Sequence, residues 1–330
     1  MNSPYARFCP WLRHVMLGGA VMSFSAVADT VPLPPSDVDL IGQVRVVNAR
    51  HEDTLLDIAR RGGLGYTDIK MANRGVDPWL PGEGMPVTLP KQHILPQAPR
   101  EGIVINLPEM RLYHYLPAKG DFRQVVTYPI SIGRFDWRTP LGVTKITQKV
   151  PNPSWTPPES IRIEHAAKGD ILPPVVPAGP DNPLGQFALR LALPSYLIHG
   201  TNKPYGIGMR VTHGCLRLYP EDIAALFQQV APGVKVNFVS QPYKIGQAFG
   251  VTYLEVHQPL QEEKGRKEGA LGEIARLLAA RGVATANVDW VAVRRELMKP
   301  TGMPVAISQP EDVLMLDANL EFGARLAAAH

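Results

Sequence analysis

Cysteine is nearly missing from this chain: 330 residues hold two, Cys9 and Cys215, and no Cys-x-x-Cys pair occurs. A zinc site built on paired cysteines is thereby excluded. Basic strips are missing as well. Lys and Arg number 34 against 30 Asp and Glu, a formal charge of only +4, and no cationic run could track phosphates, so nucleic acid is excluded as a partner. Long apolar runs are absent too, since the stretch Val15 to Val27 is too short to span a bilayer comfortably. No repeat of solenoid period is present. What remains is ordinary: 45% hydrophobic and 19% charged residues describe a folded chain with room for two or three small domains.

The first residues carry an address. Arg7, Arg13 and His14 precede the short apolar stretch, and Ala26-Val27-Ala28 stands just before Asp29. That order predicts a secretory signal peptide over residues 1–28, cleaved near Ala28; the alternative is an uncleaved anchor. Cleavage removes Cys9 and leaves Cys215 as the lone thiol of an exported chain. A lone thiol there is either inert and buried or reactive.

Residues 29–42, with Pro32, Pro34 and Pro35, read as a linker. From 43 to 92 the pattern predicts strand, helix, helix, strand. Val44 and Val46 mark the first strand, Leu55, Ile58 and Ala59 one helix face, Ile69 and Ala72 a second helix, and Val87 and Leu89 the closing strand. Asp53 or Thr54 is placed to cap the first helix. With Asn73 and Pro81-Gly82, this segment resembles a LysM module, which implies binding to N-acetylglucosamine-containing glycans. A bare spacer is the alternative. As a tether it would raise the local substrate concentration and leave the chemistry of the next domain untouched.

Residues 101–239 carry mostly strand signals: Ile103–Leu107, Met110–Tyr115, Gln124–Ile132, Val143–Val150, Phe187–His199 and Val234–Val239. Nine prolines between Pro151 and Pro183 predict a long ordered loop without helix or central strand. Residues 240–330 read as a mixed, helical extension, with stripes at Leu271, Ile274, Leu277, Leu278 and at Trp290, Val293, Leu297, the second capped by Asp289.

The chemistry concentrates between Ile198 and Tyr219. A neutral thiol is a poor nucleophile and needs a base or positive charge nearby. His199, sixteen positions before Cys215, His213 and Arg217 supply both. A glycine-containing connection can bring His199 within reach, and the amides of Gly214 and Cys215 can donate to a developing oxyanion. Zinc held by His199, His213 and Cys215 is the competing arrangement, but no fourth ligand stands at a recognisable spacing.

His199-Gly200-Thr201 followed by Thr212-His213-Gly214-Cys215-Leu216-Arg217 resembles the signature of L,D-transpeptidases. Ile130-Ser131-Ile132-Gly133-Arg134, Thr139-Pro140-Leu141-Gly142 and Asn152-Pro153 with Trp155, Pro157 and Pro158 fall in the same order as in that family. The resemblance implies an α+β, mainly β fold: a YkuD-type β-sandwich over 101–239, after the small βααβ unit and before the extension. It implies Cys215 as nucleophile and His199 as base, oriented through the Gly200 carbonyl. His213 and Gly214 complete the catalytic set, and Arg217, Thr212 and Asn202 bind substrate, with no metal and no cofactor. The implied partners are peptidoglycan stem peptides and glycan strands in the periplasm, with a diaminopimelate amine or an outer-membrane lipoprotein lysine as acceptor. A carboxypeptidase and a non-catalytic wall-binding protein are the alternatives.

Overall fold

The computed structural model describes residues 29–263 and 269–309. The expected signal peptide and the end of the extension, 310–330, lie outside the described residues. Residues 29–42 are not the expected linker. They hold β1 (Asp29–Pro32) and β2 (Leu40–Gly42), and Val31 and Leu33 pack against Tyr113, Tyr115 and Val125. The prolines sit at the strand end and in the turn between strands, where no ladder amide is needed.

β3 (Arg45–Asn48), α1 (Leu55–Arg61), α2 (Tyr66–Ala72) and β4 (Pro86–Leu89) follow in the expected order, with β3 antiparallel to β4. Thr54 caps α1: its hydroxyl accepts from the Asp57 amide and the Asp57 carboxylate accepts from the Thr54 amide. Such a reciprocal cap contributes about 1 kcal/mol. Asp53 is otherwise engaged, forking with Arg61 at 2.6 Å. Leu55, Ile58, Ala59, Ile69, Val87 and Leu89 close a small core. β5 (Gln92–Ile94) then pairs with β2.

The next unit contains β6 (Gly102–Asn106), β7 (Arg111–Tyr115), β8 (Gln124–Pro129), β9 (Ile132–Gly133), β10 (Gly142–Pro151), α3 (Glu159–Ala166), β11 (Phe187–Leu191) and β12 (Leu197–His199). It continues through β13 (Arg210–Thr212), β14 (Leu216–Arg217), α4 (Pro220–Gln229) and β15 (Lys235–Val239). One ladder runs β1-β8-β7-β6-β15-β10-β11-β12-β14. β10 is its corner. Gly142–Lys145 pair with β15, whereas Ile146 to Pro151 pair with β11 across a register shift between Ile146 and Gln148. A bulge of this kind bends a strand, and the two halves meet in one core. There Ile103, Leu112 and Tyr128 face Leu189, Ile198 and Leu216, joined by Ile223 and Leu226 of α4. The mainly β, α+β fold is the one expected.

The proline-rich segment departs from expectation by containing α3. The nine prolines fall at its flanks, and residues 159–172 have none. Pro158 sits directly before the first helical turn, where a missing amide costs nothing.

Beyond β15 come β16 (Tyr243–Ala248), β17 (Val251–Val256), α5 (Ala270–Ala280), α6 (Trp290–Met298) and β18 (Val305–Ala306). The two helices are those expected, and Asp289 accepts from Val291 and Ala292 as the α6 cap. They pack Ile274, Leu278 and Val293 onto Ile245 and Leu254 of a three-stranded sheet. Among the described residues no helix is long and apolar enough to cross a membrane.

Candidate active site

β12 and β14 run parallel, pairing Ile198 with Leu216 and His199 with Arg217. Side chains alternate along a strand, so His199 and Arg217 share one face, and Cys215, two positions before Arg217, enters on that face. Three further bonds lock the register. Leu218 N donates to His199 O (2.9 Å), Arg217 N to Ser131 O (3.0 Å) and Ser131 N to Arg217 O (2.8 Å).

His199 is buried, and its Nδ1 lies 2.7 Å from the Gly200 carbonyl. A carbonyl can only accept, so Nδ1 carries the proton and Nε2 is the unprotonated, basic nitrogen of the neutral ring; the Gly200 and Leu184 carbonyls both favour a protonated ring. Burial, with the Arg217 charge beside it, pushes the imidazole down to about 3, so the ring is neutral. The Cys215 thiol is partly exposed and points its Sγ at the Ser195 carbonyl, 3.5 Å away. Burial raises its pKa above the ordinary value, while the Leu197 amide and Arg217 pull it back. Among the described residues no hydrogen bond joins Cys215 to either histidine. The resting pair is thus a neutral thiol and a neutral imidazole on one face.

Gly214 has φ of 101°, and a Cβ there would lie 3.1 Å from the Tyr196 ring. Only glycine fits this turn. Its carbonyl accepts from the Thr139 hydroxyl (3.0 Å), and the Gly214 and Cys215 amides donate to nothing among the described residues. The Arg217 guanidinium likewise forms no side-chain hydrogen bond there, and its Nε is a buried donor without a partner. The site therefore holds two free amides and an unpaired cation beside the thiol, an arrangement able to hold an anionic oxygen or a carboxylate.

The other expected residues are placed differently. His213 turns away from the thiol: its Nε2 lies 2.9 Å from Glu164 of α3, and its ring meets Trp137 edge-on at 5.1 Å. Thr212, expected to touch substrate, is buried and donates its hydroxyl to Cys215 O (2.6 Å), which holds the loop. Asn202 is exposed and donates to Asp181 O (3.1 Å), at the rim of a cleft of about 420 Å³ shared with Asn152, Gln186 and Thr201.

Several residues escaped the sequence reading. Glu164 binds Arg134 through both oxygens (3.0 and 2.9 Å) and Lys168 (2.8 Å) besides His213. These bonds, Arg134 first, hold its carboxyl far below the usual carboxylate range. Ser195, at φ of 69°, directs its carbonyl to the thiol. Buried Asn182 bonds Pro153 O (2.9 Å) and Pro177 O (3.0 Å), tying the proline-rich segment to itself.

His93, Glu109 and Glu255 are close enough to share a metal ion. The ammonium of Lys244 already stands 2.9 Å from Glu109 and 2.7 Å from Glu255, so this cluster carries its own cation.

The family described as the L,D-transpeptidase catalytic domain (YkuD) matches residues 100–238, the span from the edge of β6 to the end of β15. Curated relatives extend the likeness to most of the chain. The probable L,D-transpeptidase YcfS of Escherichia coli (strain K12) is 46% identical over 264 residues, 78% of this chain and 82% of its own. The probable L,D-transpeptidase YbiS of the same strain is 40% identical over 299 residues, 88% of this chain and 96% of its own. The solved catalytic domain of the E. faecium L,D-transpeptidase aligns with 44% of this chain and 100% of its own, with TM-score 0.33 and 18% identity. The chain belongs to the L,D-transpeptidase family. It is a transpeptidase enzyme.

Proposed function

We propose that its acyl transfer runs through a thioester on Cys215 with His199 as general base. Cys215 Sγ attacks the carbonyl carbon between the L-centre of diaminopimelate and D-alanine in a peptidoglycan tetrapeptide, and the thiol proton passes to Nε2 of His199. The oxyanion is held by the Gly214 and Cys215 amides and the Arg217 charge. Collapse breaks the C–N bond, and D-alanine leaves with the proton returned by His199. An acceptor amine then gives its proton to His199, attacks the thioester carbonyl and expels the thiolate, which recovers that proton.

His199 carries this reading. Its Nδ1 is committed to Gly200 O at 2.7 Å and its ring is neutral, so Nε2 is a ready acceptor on the face that Cys215 enters. His213, bonded to Glu164, holds the cysteine loop against α3. Residues 43–92 bind glycan, with exposed Trp79 and Leu80 available to sugar faces. The enzyme works in the periplasm, and its acceptor is the amine of a second diaminopimelate or of a lipoprotein lysine.

Acylation by a carbapenem, read as a mass increase on intact protein, tests the assignment. Cys215→Ala is expected to fold and gain no mass. His199→Ala is expected to lose acylation near neutral pH, with His213→Ala retaining more; the reverse order hands the base role to His213. Mass spectrometry of digested wall from cells with and without the gene separates 3→3 dimers from linked lipoprotein peptides.

A further inference from the structure

The segment that leads from His199 to Cys215 is held by the neighbouring βααβ module. After a single 3₁₀ turn at Pro204–Gly206 it reaches Ile207 and Gly208, then enters β13 and the cysteine loop. At that midpoint it meets the start of α2. Tyr66 N donates to Ile207 O (2.9 Å), Thr67 N to Gly208 O (3.3 Å), and the Thr67 hydroxyl to the same Gly208 oxygen. The first amides of a helix have no partner within it, so these loop carbonyls complete α2 while α2 fixes the loop.

Backbone touches backbone here. Gly208 has φ of 83°, and a Cβ on it would lie 2.4 Å from Gly65 Cα, while one on Gly65 would lie 2.6 Å from Gly208 Cα. No side chain larger than hydrogen fits on either side. Around the contact the Tyr219 hydroxyl donates to Leu64 O (3.1 Å), Arg60 forks onto Glu221 (2.8 and 2.9 Å), and Arg111 reaches Asp68 (2.8 Å). From within the domain the Ser131 hydroxyl holds Gly206 O (2.6 Å). A tether that leaves the chemistry of the next domain untouched, the sequence expectation, does not require these contacts.

We propose that the βααβ module is a positioning element of the acyl-transfer site, and that Thr67 and the Gly65–Gly208 contact set the position of the segment carrying Cys215. The inference rests on Cys215 as nucleophile, and it concerns residues no part of the mechanism uses. Its force comes from geometry: a displacement of about 1 Å at the reacting atom can cost on the order of a hundredfold in rate. Thr67 acts through the loop and touches no reacting atom.

Full-length Thr67→Val, Thr67→Ser, Arg60→Glu and Arg60→Glu with Glu221→Arg test it, each followed by carbapenem acylation of Cys215, thermal unfolding and pelleting with purified peptidoglycan. Thr67→Val is expected to slow acylation roughly tenfold while unfolding temperature and pelleting stay as in wild type. Thr67→Ser, which keeps the hydroxyl, is expected to restore the rate. Arg60→Glu is expected to slow acylation and the added Glu221→Arg to recover it. Gly208→Ala tests the contact most directly, and if it fails to fold the threonine pair still decides. Wild-type acylation in Thr67→Val, or a deficit that follows lost stability and is not recovered by serine, overturns the proposal. A wild-type enzyme that gains no mass on Cys215 overturns the nucleophile reading instead.

Discussion

A thiol and an imidazole can rest as an ion pair or as two neutral groups, and the surroundings of Cys215 and His199 select the neutral pair. Burial disfavours charge on both, pushing the thiol up and the imidazole down to about 3. Arg217 works against burial at the thiol and with it at the histidine, because a positive neighbour stabilises thiolate and penalises imidazolium. On the proposed route the proton therefore moves only during attack, and alkylation, which needs the thiolate, follows the small thiolate fraction. Alkylation of Cys215 by iodoacetamide is expected to keep rising with pH through the ordinary thiol value of 9.0, without a plateau near neutrality. Replacing Arg217 by Met removes the positive charge and is expected to move the profile further alkaline. A plateau near neutral pH, measured by the same alkylation series, would mean that a thiolate–imidazolium pair pre-exists.

At the scale of elements, α3 and its clasp form the part of the site least anchored by core packing. Of its residues only Ile161 is buried, and Glu164 joins it to Arg134, Lys168 and His213. Partly exposed ion pairs add little to global stability. Glu164→Ala is thus expected to leave the melting temperature nearly unchanged while hydrogen exchange across 153–183 accelerates and acylation slows; unchanged exchange would show that Asn182 and the prolines hold the segment alone. The elements that carry Cys215 and His199 were legible in the sequence because alternation and the His-Gly-Cys run are local signals. β6, β7, β10 and β15 could be read from valine, isoleucine and tyrosine patterns. α3 could not, since prolines on both sides masked a proline-free helix of eight residues. Nor could β16 and β17, where Lys244 and Glu255 stand opposite each other in buried register positions and break the apolar pattern. Glu164, Tyr196 and Thr67 reach the site only through chain crossings that no local pattern encodes.

The whole molecule is joined by charge placed where it is most expensive. Half-buried Asp68 of α2 joins buried Glu109 just before β7, Arg111 at its start, and Lys244, Glu255 and His257 of the last unit in one network. Lys244 is its centre, donating to Glu109 (2.9 Å) and Ile94 O (2.7 Å) and standing 2.7 Å from Glu255. The Ile94 amide donates back to Glu255 (2.6 Å), and the Tyr113 hydroxyl donates to Glu109. Each of the three units contributes a charge that another unit neutralises, so separating one leaves a buried carboxylate or cation unpaired. That penalty amounts to several kcal/mol per ion. The three units are therefore expected to unfold in one transition, with equal calorimetric and van't Hoff enthalpies. Lys244→Met keeps much of the side-chain volume and removes the cation between Glu109 and Glu255, which are left with Arg111 at 3.8 Å and His257 at 2.7 Å, respectively, as charged or chargeable neighbours. A loss of about 3–5 kcal/mol is expected in chemical denaturation. The deficit is expected to shrink in Lys244→Met with Glu255→Gln, because one of the two stranded charges is then gone. Should the single variant unfold at the wild-type denaturant midpoint, the network would not be what couples the module, the sandwich and the extension.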